Sequence, residues 1–132
     1  MNISIKTIPH AEQNYNTPGD YFWGDPKDDT GDLTIRVSKM KDWRHEFLIV
    51  VHELVEAMLC KYFNIRCSDI TAFDENYERE RKDGFHSASD EPGHDPESPY
   101  RNEHFFAEAI ERMVAVALKV DWTKYAEEVN SL

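Results

Sequence analysis

The stretch FLIVVHELVEAMLC, residues 47–60, decides the fold, because polar residues interrupt a run that is otherwise apolar. Asp42 stands where an N-cap is needed, so we predict one long helix over residues 43–63. Further apolar residues surround most of this helix, and we therefore expect it to be deeply buried. Its core stripe is predicted at Phe47, Val51, Leu54, Val55, Met58 and Tyr62.

A second long helix is predicted nearer the C-terminus. It begins near Pro99, since proline suits the first helical turn, and it runs to about Leu118. Its apolar residues recur at helical spacing and are expected to form the core face. They are Phe105, Phe106, Ala109, Ile110, Met113, Val114, Ala117 and Leu118.

The remaining segments predict a small sheet and short accessory helices. Residues 3–8 and 33–38 alternate apolar and polar residues, which is typical of a strand with one buried face. The region from Pro9 to Gly31 is rich in turn residues, and residues 71–83 form a charged, solvated helix. Asp121 is expected to cap a short terminal helix. We therefore predict a single α+β domain over residues 1–132, a small β-sheet with two long core helices.

The composition is acidic, with 15 Lys and Arg against 26 Asp and Glu and a formal net charge of −11. This charge argues against binding to nucleic acid or to an anionic membrane surface, and it leaves a protein partner or a metal cation open. No apolar run approaches the roughly 20 residues of a membrane span, and the start, MNISIKTIPH, lacks the apolar core of a signal peptide. Cys60 and Cys67 alone make no disulfide framework. We therefore expect a cytoplasmic protein.

The strongest functional signal is a repeated spacing of histidine and glutamate. His52 and Glu56 are four residues apart in the first long helix, and His104 and Glu108 repeat that spacing in the second. Residues four apart share a helix face, so two packed helices can place two imidazoles and two carboxylates around one point. Imidazole with carboxylate suits zinc, and also manganese, iron or nickel. These four residues are the predicted ligands of a divalent metal ion.

Structural interpretations of the same residues remain open. A buried carboxylate needs a partner, because leaving it uncompensated is costly. That partner can be water, if the polar face is exposed, or one of Arg36, Arg44 and Arg112. For Glu108 and Glu111, a solvated helix face is also open.

The order of the predicted elements, a strand and then two helices bearing these residues, resembles the minimal core of the zincin metallopeptidases. The resemblance implies that His52 is the first metal ligand and that Glu53 is the general base acting on the metal-bound water. It implies His104 or Glu108 as the ligand from the downstream helix. The zincin motif has a second histidine where this chain has Glu56, so another metal or a non-hydrolytic role stays open. On this resemblance we predict a metal-dependent hydrolase acting on a peptide or another small amide or ester.

Residues 85–99 form a long loop that contains three prolines. Loops of this length are usually functional or disordered. His94 and Asp95 lie in it beside turn-forming residues, and they are therefore candidates for the mouth of the site.

Two other functions fit the sequence. The motifs Glu53-x-x-Glu56 and Glu108-x-x-Glu111 are similar to those of MazG-related nucleotide pyrophosphohydrolases, in which four carboxylates hold magnesium against a triphosphate. The other is a non-enzymatic acidic binding or inhibitor protein. In that case the polar cluster is a structural core, and the aromatic segment of residues 15–23 binds the partner.

Overall fold

The computed structural model describes residues 1–132 and has the predicted α+β architecture. The strands are β1 (Ile3–Ile8), β2 (Gly19–Asp25) and β3 (Thr30–Ser38). The helices are α1 (Trp43–Tyr62), α2 (Cys67–Lys82), α3 (Arg101–Ala117) and α4 (Trp122–Asn130). Short 3₁₀ helices lie at His10–Glu12 and Pro92–His94. None of these helices is both long enough and apolar enough to cross a membrane.

The three strands form one mixed sheet in the order β1-β3-β2. The central strand β3 is parallel to β1 and antiparallel to β2. Leu33, Ile35 and Val37 of β3 are fully buried and alternate with less buried residues, as a strand with one covered face requires. The core therefore lies between this face of the sheet and the helices.

Strand β2 occupies part of the segment that the sequence predicted as turn-rich, and that prediction was wrong for residues 19–25. Tyr21 pairs with Ile35 and Trp23 with Leu33, so both aromatic side chains join the core face of the sheet. Phe22 lies on the other face, where it is exposed. These residues favour turns when they are considered alone, but pairing with β3 holds them in a strand.

Helix α1 begins where Asp42 predicts, because its carboxylate accepts a hydrogen bond from the backbone N–H of Arg44 at 2.9 Å. The predicted core stripe, however, was wrong at both ends. Phe47 is 43% exposed and Tyr62 is 81% exposed. The buried face contains His45, Leu48, Ile49, His52, Glu56, Ala57 and Cys60.

Helix α3 packs against α1, and its predicted core face was wrong at most positions, although Val114 packs against the core. Phe105, Phe106 and Met113 are exposed. The buried residues are Glu103, His104, Ala107, Glu111 and Ala115. Each of the two long helices thus turns its polar, chemistry-bearing side inward.

The two shorter helices complete the enclosure of that polar side. Helix α2 starts four residues earlier than predicted and buries Ile70, Asp74 and Tyr77. Helix α4 is capped by Asp121, as predicted, and buries Tyr125. The cavity described next lies among these elements.

Candidate metal centre

Three side chains from the two long helices converge at a buried point. His52 Nε2 is 3.1 Å from Glu56 Oε2 and 3.1 Å from His104 Nδ1. The third side of the triangle, between His104 Nδ1 and Glu56 Oε2, is 3.0 Å. We call these residues the inner triad. Each is less than a tenth exposed.

Protons satisfy this triangle of atoms only in part. A single proton bridges only two of the three atoms. Two protons, one on His52 Nε2 and one on His104 Nδ1, can both be donated to Glu56 Oε2, but they leave two N–H groups facing each other at 3.1 Å. One cation bound by a lone pair from each atom satisfies all three at once. The inner triad therefore has the donor set of a metal site.

A further carboxylate fixes the orientation of His52. Its Nδ1–H donates to Glu111 Oε2 at 3.1 Å, so Nε2 of the neutral ring directs its lone pair at the inner triad. The hydroxyl of Tyr125 donates to the other oxygen of Glu111 at 2.9 Å. A carboxylate on the far nitrogen of a histidine is the usual support of a metal ligand.

The size and charge of the inner triad suit a divalent ion. Ligand atoms about 2.0–2.1 Å from a tetrahedral ion lie roughly 3.4 Å apart. The three separations of 3.0–3.1 Å need only a small expansion to reach that value. Glu56 and Glu111 carry two buried negative charges, which a divalent cation balances. A three-ligand site also leaves a coordination position for water or substrate.

Without a cation, the cluster holds protons instead. Burial acts to lower the pKa of His104, but its contacts with Glu56 and Glu91 outweigh that effect and raise the pKa to about 9. The pKa of His52 is likewise raised against the effect of burial, by Glu111 and Glu56. The pKa of Glu56 is lowered, because its bonds to the two histidines outweigh burial. Metal binding must therefore displace protons from this cluster.

Glu53 lies beside the inner triad on the side of α1 that faces β2. A methyl group at Gly19 would lie 2.9 Å from Cγ and Oε1 of Glu53, so the glycine leaves room for this side chain. Burial is the main reason why the pKa of Glu53 lies well above its ordinary value, and the charge of Glu56 raises this pKa further. A carboxyl with a raised pKa beside a candidate metal site is suited to proton transfer.

The inner triad and Glu53 open into one cavity of about 430 Å³. Its wall contains further carboxyl groups that burial holds partly protonated. Burial raises the pKa of Asp20 to about 6 and that of Asp74 to about 7. The hydroxyl groups of Tyr15 and Tyr100 donate to Asp74 at 3.0 and 2.6 Å. The cavity therefore favours groups that carry positive charge or donate hydrogen bonds.

Three of the four predicted ligands, His52, Glu56 and His104, meet at one point. Glu108 lies outside the inner triad, with Oε1 3.5 Å from His94 Nε2. His94 lines the cavity, as expected for a mouth residue, whereas Asp95 lines a separate shallow surface pocket.

Sequence reasoning underrated Glu111, which it gave either as a solvated residue or as one of four magnesium ligands, and it missed the role of Tyr125. The spacing of seven residues between His104 and Glu111 places both on one helix face, and this signal could have identified Glu111. One of the proposed arginine partners lies near a predicted ligand, since Arg112 Nε is 3.8 Å from Glu108 Oε2 and its guanidinium lies over Trp122. Arg44 binds Asp42, and Arg36 lies over Phe22.

The fold and the site together define an α+β protein with a His₂Glu cluster between two packed helices. Comparison with protein-family models gave no match, nor did comparison with curated proteins or with solved structures. The functional argument therefore depends on the site itself.

Proposed function

We propose that this protein is a metal-dependent hydrolase whose ion is held by His52, Glu56 and His104. The observation that carries the proposal is the buried triangle of two imidazole nitrogens and one carboxylate oxygen, with sides of 3.0–3.1 Å. Zinc suits this donor set best, and manganese, iron and nickel also accept it. The ion supplies a Lewis acid that polarises water and the substrate carbonyl.

The residues of the chain then divide the work of hydrolysis. Glu53 accepts a proton from water as the water oxygen bonds to the carbonyl carbon. The same proton passes to the leaving nitrogen or oxygen as its bond to that carbon breaks, which gives a carboxylic acid and an amine or alcohol. Glu111 and Tyr125 keep the His52 ring in its binding orientation.

The cavity supports a cationic amide or ester, such as a peptide with a basic side chain, as the substrate. Asp20 and Asp74 lie in its wall with Glu53, and the net charge of the chain is −11. A positively charged group entering the cavity stabilises the ionised forms of these carboxyls. A polyphosphate meets repulsion from the same groups.

The two alternatives make different demands on the same residues. A magnesium-dependent nucleotide hydrolase needs free carboxylate oxygens, but Glu56 and Glu111 both contact His52, and Glu108 contacts His94. A non-enzymatic binding protein needs exposed aromatic residues in the segment of residues 15–23. In that segment Tyr21 and Trp23 belong to the core, and Phe22 is the one aromatic side chain that is exposed.

Replacement of Glu53 distinguishes the three functions. Wild-type protein loaded in turn with Zn²⁺, Mn²⁺, Fe²⁺ or Ni²⁺ is assayed on a fluorogenic peptide library that includes basic residues. Glu53→Gln should lower the hydrolysis rate by about 100-fold or more, with the metal content unchanged. The matched control is Glu75→Gln, which alters an exposed glutamate of α2 and should leave the rate unchanged.

Three results would overturn the proposal. One is a purified protein that takes up none of the four metals. Another is a peptide hydrolysis rate in Glu53→Gln equal to that of the wild type. The third is hydrolysis of dATP with Mg²⁺ in the absence of peptide hydrolysis, which would favour the pyrophosphohydrolase.

A further inference from the structure

We propose that a second divalent transition-metal ion binds at the entrance of the cavity, held by Glu91, His94 and the far nitrogen of His104. We call these residues the mouth triad. Their ligand atoms lie within 4.8 Å of one another. This inference goes beyond the proposed function and rests on it only in that the two ions share His104.

The loop that carries Glu91 and His94 is held in place at both ends. The guanidinium of Arg81 donates to the backbone carbonyls of Ser87 and Asp90, which fixes the loop just before Glu91. The 3₁₀ helix Pro92–His94 then brings His94 against α3. Its Gly93 touches the His104 ring so closely that any side chain there would overlap the ring. The fold itself therefore holds this loop close to His104.

Two of the separations within the mouth triad suit ligands around an ion better than they suit hydrogen bonds. His94 Nδ1 is 3.5 Å from Glu91 Oε2, and His104 Nε2 is 3.7 Å from Glu91 Oε1. Both distances are too long for a good hydrogen bond. They are close to the roughly 3.4 Å between two ligands of one tetrahedral ion.

A buried polar atom points to the same conclusion independently. The side chain of His104 is 9% exposed, and its Nε2 has no hydrogen-bond partner. A buried ring nitrogen without a partner is costly and is rare in folded proteins. This atom is oriented toward Glu91, and a cation between the two residues would satisfy it.

The mouth triad repeats the pattern of the inner triad. Each has two imidazoles and one glutamate, and each has a further glutamate near the far nitrogen of one histidine. In the inner triad that glutamate is Glu111, on His52. In the mouth triad it is Glu108, whose Oε1 is 3.5 Å from His94 Nε2. Glu108, predicted as a ligand of the inner ion, thus has a supporting position at the mouth.

With both sites filled, His104 binds one ion through Nδ1 and the other through Nε2, so its ring loses both N–H protons and bridges the ions. A whole ring then separates the ions, which is farther than the ~3.5–4 Å of hydrolases whose two ions share one water. The mouth ion is therefore suited to binding an anionic or carbonyl group of the substrate and to holding the loop against α3.

The test is the number of Zn²⁺ ions bound per chain, measured by calorimetric titration and by elemental analysis after dialysis. Wild type should bind two ions, and the double variant Glu91→Gln, His94→Ala should bind one. Glu97→Gln changes an exposed glutamate of the same loop and should still bind two. Both changes in the double variant lie on the surface loop, and far-UV circular dichroism checks that each variant is folded.

The outcomes separate this proposal from the proposed function. If the wild type binds one ion, and this ion is still bound by the double variant but not by His52→Ala, the mouth site is overturned and the inner site is intact. If instead the one ion is still bound by His52→Ala but not by the double variant, the mouth site is supported and the inner site is overturned. A wild type that binds no ion overturns both.

Binding of Cu²⁺ tests whether the two ions share the imidazole ring of His104. Two Cu²⁺ ions joined through one imidazole ring couple magnetically, so the paramagnetic resonance signal per ion should fall as the second equivalent is added. Signals that simply add would show that the ions do not share His104 and would overturn the bridged arrangement.

Discussion

Replacing Glu111 with glutamine should weaken metal binding while leaving the fold intact. Glutamine has the same shape, and its Oε1 can still accept from His52 Nδ1 while its amide donates to the Tyr125 hydroxyl. The change therefore removes one buried negative charge and little else. Loss of such a supporting carboxylate typically lowers metal affinity by about 10- to 100-fold, which corresponds to roughly 1.4–2.7 kcal/mol.

The affinity is measured by competition between the protein and a chromophoric chelator for Zn²⁺. Glu127→Gln removes an exposed carboxylate of α4 and serves as the control, since it should keep the wild-type affinity. Tyr125→Phe removes only the hydroxyl that holds Glu111 and should have a smaller effect than Glu111→Gln. Equal affinities for wild type and Glu111→Gln would refute the reasoning, because the buried charge would then contribute nothing to the ion.

Three further outcomes are expected. Gly19→Ala places a methyl group 2.5 Å from Ile49 Cγ2 and 2.9 Å from Glu53, so it should displace both side chains and lower the hydrolysis rate while the metal content stays at the wild-type value; an unchanged rate would contradict the placement of Glu53. In metal-free protein, the pKa of His104 is raised from 6.5 to about 9, so the resulting stability is complete below pH 6.5 and is lost as the pH rises toward 9. Thermal melts should show this loss, and it should be smaller in His104→Ala, in which Glu111 and Glu56 still raise the pKa of His52. Ala107→Leu should cost about 1–3 kcal/mol of unfolding free energy in urea titrations because Ala107 is fully buried, whereas Ala109→Leu on the exposed face should cost little.

Local signals in the sequence predicted the elements and much of the site. Asp42 and Asp121 mark the starts of two helices because a short polar side chain caps free N–H groups wherever it stands. The spacing between His52 and Glu56 sets their common face by helix geometry alone. His104 joins them because α3 packs against α1 with its polar side inward. The caps and the common face of His52 and Glu56 need only the chain within one helix, whereas the meeting with His104 needs two packed helices.

The orientation of the helices could not be predicted from hydrophobicity. In α3 the apolar stripe that contains Phe106 and Met113 lies outward, and the stripe that contains His104 and Glu111 lies inward. A hydrophobic pattern predicts the buried face only when burial of apolar area is the main contribution. Here the inward positions hold the cluster, so the pattern predicts the wrong side. Strand β2 was missed for a different reason, since its pairing with β3 is a long-range contact.

If the inner triad binds an ion as proposed, metal binding is part of the stability of the fold. Only 27 of the 132 residues are buried, and among them are His52, Glu56, His104 and Glu111. Positions that usually contribute apolar burial are thus occupied by charged groups, whose desolvation opposes folding. An ion that binds only to the folded chain offsets that cost by mass action. It raises the free energy of unfolding by about 2.7 kcal/mol when its free concentration is 100 times its dissociation constant. Zn²⁺ should therefore raise the melting temperature of the wild type in proportion to the logarithm of its concentration. A variant with His52→Ala and His104→Ala should show no such rise, and a rise of equal size in that variant would mean that the stabilising ion binds elsewhere.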